Sequence, residues 1–397
     1  MSIKDDSVVL LGGARTPFGR FGGKLSSQTA QELGAVAIAG ALANSGVRAD
    51  LIDQVIMGQV LPAGGGQLTA RSAAAAAGVP MNVPALNINR MCLSGVDAIM
   101  QAQQAIFSGH ADVVVAGGQE SMSNAPHLLT DSRRGVRYGS AGLIDHLEFD
   151  GLQDAFTGQS MGSLTEADNV NYRIGRSQQD ALAARSHQRA AVAAERGTLA
   201  KEIVPVTVGS GAAAQEVAID EGIRPDTTEE SLARLPPVFA KDGTLTAGNS
   251  SPISDGAAAV VVARRSVAKD LGLPWLVELG AGSVVAGPDS GLHEQPANAL
   301  MKACEREGLS PEELDLVEIN EAFAAVVIAS QQRLGLSDMR VNVSGGAIAL
   351  GHPIGTSGAR LALHLANEIH ERGKTIGALS LCGAGGQGQA LILRAPE

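Results

Sequence analysis

Cysteine is nearly absent. Three thiols in 397 residues, Cys92, Cys304 and Cys382, cannot build a disulfide framework. They fit a reducing, cytoplasmic setting, in which each is a small buried hydrophobe or a reactive group. Aromatic side chains are also scarce, at 3% with one tryptophan. Positive charge is in deficit: 30 Lys and Arg face 41 Asp and Glu, a formal net charge of -11. That excludes a general nucleic-acid surface, which needs a basic face, but leaves room for a local site that takes an anionic small molecule. Long hydrophobic runs are missing, because glycines and charges interrupt each one before membrane-spanning length. The opening "MSIKDDSVVLLGGARTPFG" lacks a basic start, a sustained apolar core and a cleavage site, so no signal peptide is expected.

What the chain does hold is 49 glycines and 45% hydrophobic residues. That mixture suits an α/β protein with many tight turns, not a disordered or fibrous one. The length calls for two or three domains, or a large duplicated unit. Duplication is visible. "GVRADLIDQVIMGQ" (Gly46 to Gln59) and "GLSPEELDLVEINE" (Gly308 to Glu321) both open on a helix-ending glycine, carry Asp53 or Asp315, and close on an apolar strand.

The stretches that follow match again. "LNINRMCLSGVDAIMQAQQAIFSGHADVVVAGGQES" and "VNVSGGAIALGHPIGTSGARLALHLANEIHERGKTIGALSLCGAGGQG" each read strand, loop, helix, glycine, strand, glycine turn. Cys92, Val96, Ile99, Ala102 and Ile106 share one helical face, as do Ala362, Leu365, Ala366 and Ile369. Alternating strands and helices predict mostly parallel sheets with right-handed crossovers. Between the halves, residues 123–250 read as a long insertion whose one clear helix is "SQQDALAARSHQRAAVAAERG". Insertions of this kind often cover sites and bind ligands.

Several residues could carry chemistry. Cys92 stands at a helix start, where N–H groups and the dipole favour a thiolate, with Arg90 two residues away. It could equally fill a gap as a small apolar residue. His352 occupies the matching loop of the second half, amid glycines that allow close backbone approach. A cysteine and a histidine in facing loops would suit nucleophile activation. Cys382 arrives by strand at a glycine turn whose N–H groups could meet an oxyanion, or it is a strand-end core thiol. Cys304 lies on an ordinary amphipathic helix and reads as core. Asn320 ends a strand where an amide can hold a water or a substrate oxygen, and Glu321 reads as a helix-start acid.

Taken together, "NRMCLSG", "GGQESMSNAPH", "TAGNSSPISDGAA", "NEAFAA", "GGAIALGHPIGTSGAR" and "CGAGGQG" resemble the thiolase family, in family order and across nearly the whole chain. The likeness is greatest to its acetyl-CoA acetyltransferase branch. It implies a five-layered αβαβα thiolase fold: an N-terminal half (1–122, completed by 251–275), a loop domain (123–250) and a C-terminal half (276–397). It also implies a homotetramer, with acyl-CoA and coenzyme A as substrates and products and no separate cofactor or metal.

By the same resemblance, Cys92 is the nucleophile that takes the acyl group, and His352 activates it. Cys382 moves the α-carbon proton, and Asn320 holds a water that shares an oxyanion hole with His352. A second hole uses the N–H groups of Cys92 and Ala384. Arg224 and Ser231 meet the nucleotide end of coenzyme A and Ser251 its pantetheine arm. Leu152, Met161, Ala247, Ala322 and Phe323 line the arm and acyl pocket. The chain departs from the pattern at Ser160, where histidine is common, and at Pro252 and Ala384, where glycine is usual. A positive φ at Ala384 would be costly. Two rivals share these motifs: a degradative 3-ketoacyl-CoA thiolase for longer chains, and a non-catalytic acyl-CoA-binding protein of the same fold. A decarboxylating condensing enzyme is disfavoured, since that chemistry would not call for Cys382.

Overall fold

The computed structural model describes residues 7–396. The first half runs β1 (Val8–Arg15), α1 (Ala30–Ser45), β2 (Gln54–Gly58), α2 (Thr69–Ala76), β3 (Ala85–Ile88), α3 (Ser94–Phe107) and β4 (Val113–Ser121). A long excursion follows, with α4 (Met161–Tyr172) and α5 (Arg176–Glu195), before β5 (Ser254–Arg264) returns to the sheet. The second half runs β6 (Val277–Ala286), α6 (Gln295–Glu307), β7 (Leu316–Ile319), α7 (Ala324–Leu334), α8 (Ser357–Glu371), β8 (Ile376–Gly383) and β9 (Gln387–Arg394).

The strand order is β3-β2-β4-β5-β1 in the first half. It is Val341-β7-β8-β9-β6 in the second, where Val341 makes a lone parallel bridge at the place of β3. The two orders match element for element. β1 and β6 then pair antiparallel, Val8 opposite Leu279, so the halves meet edge to edge about a local twofold. The duplicated aspartates do the same work in each half. Asp53 accepts the N–H groups of Asp112 and Val113 at the start of β4, and Asp315 accepts those of Thr375 and Ile376 at the start of β8. Gly46 and Gly308 end α1 and α6 in the left-handed conformation, at φ 69° and 70°.

Three apolar cores separate the layers. α3 and α8 lie between the two halves of the sheet, with Val96, Ile99, Ala102, Ile106, Leu361, Leu365 and Ile369 fully buried. α1 and α2 cover the outer face of the first half through Leu33, Ile38 and Ala73. α6 and α7 cover the second through Leu300 and Val327. Each fully buried Leu or Ile is worth about 1.5–3 kcal/mol over exposure. The succession is therefore helix, sheet, helix, sheet, helix.

The sheet is mixed, not mostly parallel as alternation predicts. Among the described strands, β2–β3, β2–β4 and β7–β8 pair in parallel, and the other long strands are antiparallel. The cause is connection length. A tight glycine turn joins β8 to β9, which forces them antiparallel, and the long excursion lets β5 re-enter from the far end. The excursion also holds a helix that the sequence pattern hides. α4 has few apolar residues, but Ser160 caps it by accepting the N–H of Ser163 at 3.1 Å.

Candidate active site

Cys92 sits two residues before the first residue of α3. Its loop is tight. Ser94 Oγ accepts the Arg90 N–H at 2.8 Å and donates to the Met91 carbonyl at 2.6 Å. Met91 is left at φ 53°, a conformation that costs a non-glycine residue about 1–3 kcal/mol and was not foreseen from the sequence. The strained turn brings the half-buried thiol to the end of β3 and against an apolar cluster of Leu147, Leu152 and Ile354. Burial pushes the thiol up, to about 12, although the N–H groups of Cys92 and Ala384 point at the sulfur and pull the other way. Desolvation thus outweighs the helix terminus, against the sequence expectation of a favoured thiolate. Arg90 lends little, because its guanidinium turns to Asp97 at 3.3 Å.

The opposing loop comes from the second half. At the α3–α8 crossing, a Cβ on Gly95 would lie 2.7 Å from the Ala359 nitrogen, and one on Gly358 would strike the Val96 nitrogen. Only glycine at both positions lets the two helix starts meet. This closeness brings the His352 loop to the Cys92 loop, and Ile354 joins the apolar cluster against which Cys92 packs. His352 is buried, its N–H donating to Ser254 Oγ at 3.2 Å. Its Nδ1 lies 2.6 Å from Ser357 Oγ, and its Nε2 lies 3.4 Å from Asn320 Nδ2. Burial, and then the charge of Arg360, holds the ring down at about 4, so it is neutral near pH 7.

Cys382 lies near the end of β8 and is fully buried, beside Met161, Ala322, Phe323 and Ala384. Burial raises its pKa most, and the proximity of Cys92 raises it further. The two thiols are therefore electrostatic neighbours. Ala384 is not strained: Gly385 and Gly386 take the positive φ values of that turn, at 78° and 65°. Asn320 is buried, and its Oδ1 has no partner among the described residues. Cys304 is core on α6, as expected.

Four buried acids brace this arrangement, and the sequence pattern showed none of them in that role. Glu120, at the end of β4, accepts the N–H groups of Val60 (2.9 Å), Leu61 (3.1 Å) and Gly355 (2.9 Å), tying the His352 loop to the first half. Its burial raises it to about 7. Glu321 is no helix-start acid, since α7 begins at Ala324. It is buried and accepts Ser186 Oγ (2.6 Å), Asn342 Nδ2 (3.0 Å) and the Ile348 N–H (3.1 Å), which joins α5 to the loop before His352. Glu202 works with Asp220: both bind the buried Arg15 at 2.7 Å and so anchor the excursion to β1. Breaking such a buried pair costs about 3–5 kcal/mol.

The proposed coenzyme A contacts divide. Ser251 is placed by the site, its N–H and Oγ both donating to the Ala322 carbonyl at 3.0 Å. Leu152 packs with Cys92, while Met161, Ala322 and Phe323 pack with Cys382. Ala247 is exposed on the loop before Ser251. Arg224 and Ser231 are also exposed. Arg224 is held through its N–H, which donates to His187 Nδ1 at 3.2 Å, and Ser231 shares a capping box with Thr228. Phe239, not foreseen, meets Phe323 edge-on with centroids 6.3 Å apart. Among the described residues, no group of His, Cys, Asp and Glu is arranged to hold a metal, and no helix is long and apolar enough to cross a membrane.

Comparison with known proteins agrees with this architecture. Residues 8–266 match the family model "Thiolase, N-terminal domain", and residues 273–395 match "Thiolase, C-terminal domain". The chain is 57% identical to a probable acetyl-CoA acetyltransferase of Mycolicibacterium smegmatis, over 97% of this chain and 100% of that protein. It is 45% identical to the acetyl-CoA acetyltransferase of Cupriavidus necator, over 97% and 98%. The crystal structure of the Bacillus anthracis acetyl-CoA acetyltransferase superposes with a TM-score of 0.96 at 39% identity, covering 98% of this chain and 99% of that one. The likeness spans both halves and the excursion between them, in sequence as well as in fold: the chain belongs to the thiolase family.

Proposed function

We propose that the chain is an acetyl-CoA acetyltransferase. It would condense two acetyl-CoA to acetoacetyl-CoA and coenzyme A, and run the reverse thiolysis, through an acetyl-cysteine intermediate. One observation carries the reading: Cys92 and His352 come from matching loops of the two halves, with Cys382 beside Cys92. Forming a carbon–carbon bond next to a thioester needs a nucleophile, a base for the α-proton and donors for an enolate oxygen. One thiol cannot serve twice, because it is esterified when the base is needed.

His352 would take the Cys92 proton at Nε2 as the thiol attacks the acetyl carbonyl. The resting pair is neutral, a protonated thiol and an uncharged imidazole, so ionisation is tied to attack on bound substrate. The N–H groups of Cys92 and Ala384 would receive the oxygen of the acyl group. Cys382 would then remove the α-proton of the second acetyl-CoA, and His352, with a water held by Asn320, would meet the enolate oxygen. The Cys92 proton would leave through His352 on the departing coenzyme A; the ring, neutral again, would take the Cys382 proton so that the thiolate can remove the α-proton, and would return it to the Cys92 thiolate released as the carbon–carbon bond forms. Leu147 and Ile354 pack in the apolar cluster that Cys92 joins, which supports a short acyl group over the longer chains of a degradative thiolase.

Arg224 and Ser231 would take the nucleotide end of coenzyme A, and Ser251, Ala247, Leu152, Met161, Ala322 and Phe323 the arm. We assign residues 123–250 as the loop domain that carries this site, and the substrates need no further cofactor. A homotetramer is supported by the exposed apolar side chains of Val136, Tyr138 and Leu143, on the excursion between the short strands His127–Leu128 and Ile144–Asp145. The scarcity of cysteine supports a cytoplasmic location. The test is mass spectrometry after incubation with acetyl-CoA. One acetyl group on Cys92 is expected, and none in Cys92→Ser. Acetylation on Cys304 alone, or on no cysteine, would overturn the reading.

A further inference from the structure

We infer that Ser357 is a positioning residue: its hydroxyl decides which ring nitrogen of His352 carries the proton. This rests on the reading of His352 as the group that activates Cys92. Ser357 is the first residue of α8 and is fully buried. Its Oγ lies 2.6 Å from His352 Nδ1 and 3.0 Å from the Pro353 carbonyl. A hydroxyl has one proton to give. A carbonyl can only accept, so that proton goes to Pro353, and the oxygen accepts from Nδ1–H. Asn320 agrees from the other side, turning its amide N–H toward Nε2 at 3.4 Å. Both neighbours therefore leave the lone pair on Nε2. The opposite tautomer would need the Asn320 amide to turn its oxygen to the ring and Ser357 to give up Pro353.

The duplication supplies an internal control. Ser94 is the first residue of α3, as Ser357 is of α8, and each is followed by the glycine of the helix crossing. Ser94 also donates to a carbonyl of its own loop, that of Met91 at 2.6 Å. But its oxygen accepts a backbone N–H, that of Arg90 at 2.8 Å. In the second half the same acceptor position faces an imidazole instead. A carboxylate there would also fix the tautomer, but it would stabilise the imidazolium and make the ring slow to release a proton. A neutral hydroxyl orients the ring and leaves it uncharged. Arg360, whose charge acts on the same ring, opposes the imidazolium as well.

The experiment uses the full-length protein labelled with 15N-histidine. Long-range 15N–1H spectra read the His352 tautomer, and rapid quench reads acetylation of Cys92. Wild type is expected to show Nδ1–H. Ser357→Ala is expected to mix the tautomers and slow acetylation at least tenfold, against the ~10²–10⁴-fold that a general base supplies. KM for acetoacetyl-CoA should change little, and Ser357→Thr, which keeps the hydroxyl, should restore both readouts. An Nε2–H ring in wild type overturns the inference with no variant needed. So does a Ser357→Ala protein with unchanged tautomer and acetylation rate. His352→Ala that still acetylates Cys92 would overturn the role of His352 instead, and would leave the tautomer readout untouched.

Discussion

The two loops that face each other across the local twofold, one with Cys92 and one with His352, are the same construction put to different use. Each follows the edge of its half of the sheet, and each ends in Ser-Gly at a helix start. The crossing of α3 and α8 is nearly symmetric, glycine against backbone on both sides. The departures from symmetry are chemical. The first loop is tight, strained at Met91, and leaves its thiol half-buried. The second is padded by a short helix, Ala347–Leu350, is tied by Glu120 to the first half, and buries its imidazole. Duplication thus supplies the meeting point, and local bonding supplies the difference between a nucleophile and its base.

The symmetric part should break hardest. Gly358→Ala would place a methyl group on the Val96 backbone, which cannot move aside as a side chain could. It is expected to cost about 3 kcal/mol or more in denaturant unfolding and to remove activity with it. Gly95→Ala should do the same from the other side. Wild-type stability in both would show that the helix starts are not in contact as described.

A charge effect of the second half comes next. His293, beyond the site, is buried against Tyr172 in a parallel stack, with Nε2 2.8 Å from Asn169 Oδ1. Burial lowers it from its ordinary 6.5 to about 4. Its neutral form therefore stabilises the fold above pH 6.5, and that contribution is lost as the pH falls through 6.5 toward 4. His187 shifts the same way, first through burial and then through Arg224. His293→Gln should flatten this acid limb of stability by on the order of 2 kcal/mol. An unchanged limb in thermal melts across that range would assign the acid loss to other groups.

The smallest expected effect comes from an exposed side chain of the excursion. Arg224→Ala should raise KM for acetoacetyl-CoA about tenfold and leave kcat nearly unchanged, because a contact remote from the reacting carbons binds ground and transition states alike. A fall in kcat at constant KM would move Arg224 into the chemistry and blur the contrast between loop and excursion.

Much of this was legible in the sequence. The repeated glycine–aspartate blocks marked the duplication because Asp53 and Asp315 do identical work at the start of β4 and β8. The face of Val96, Ile99 and Ile106 was readable because it is wholly buried. The strand directions were not, since alternation of strand and helix does not record that β5 enters after a long excursion. α4 was hidden because its cap, not its apolar spacing, defines it. Glu120 and Glu321 were hidden for a related reason. An acid that binds backbone N–H groups more than 200 residues away, as Glu120 binds Gly355, leaves no periodic trace. The Cys92 thiol went the other way from expectation because its desolvation cannot be read from a helix start.

The central claim is a division of labour: Cys92 and His352 from facing loops carry the acyl group, and Cys382 carries the proton. Cys382→Ala tests it most directly, with acetyl-enzyme yield and α-deuterium uptake by acetyl-CoA measured on one preparation. Cys92 and His352 remain in that variant, so acetyl-enzyme should form as in wild type. Uptake should fall to background, and condensation and thiolysis should fall with it, since both pass through the same carbanion. Normal deuterium uptake would contradict the account and return Cys382 to the role of a core thiol at a strand end.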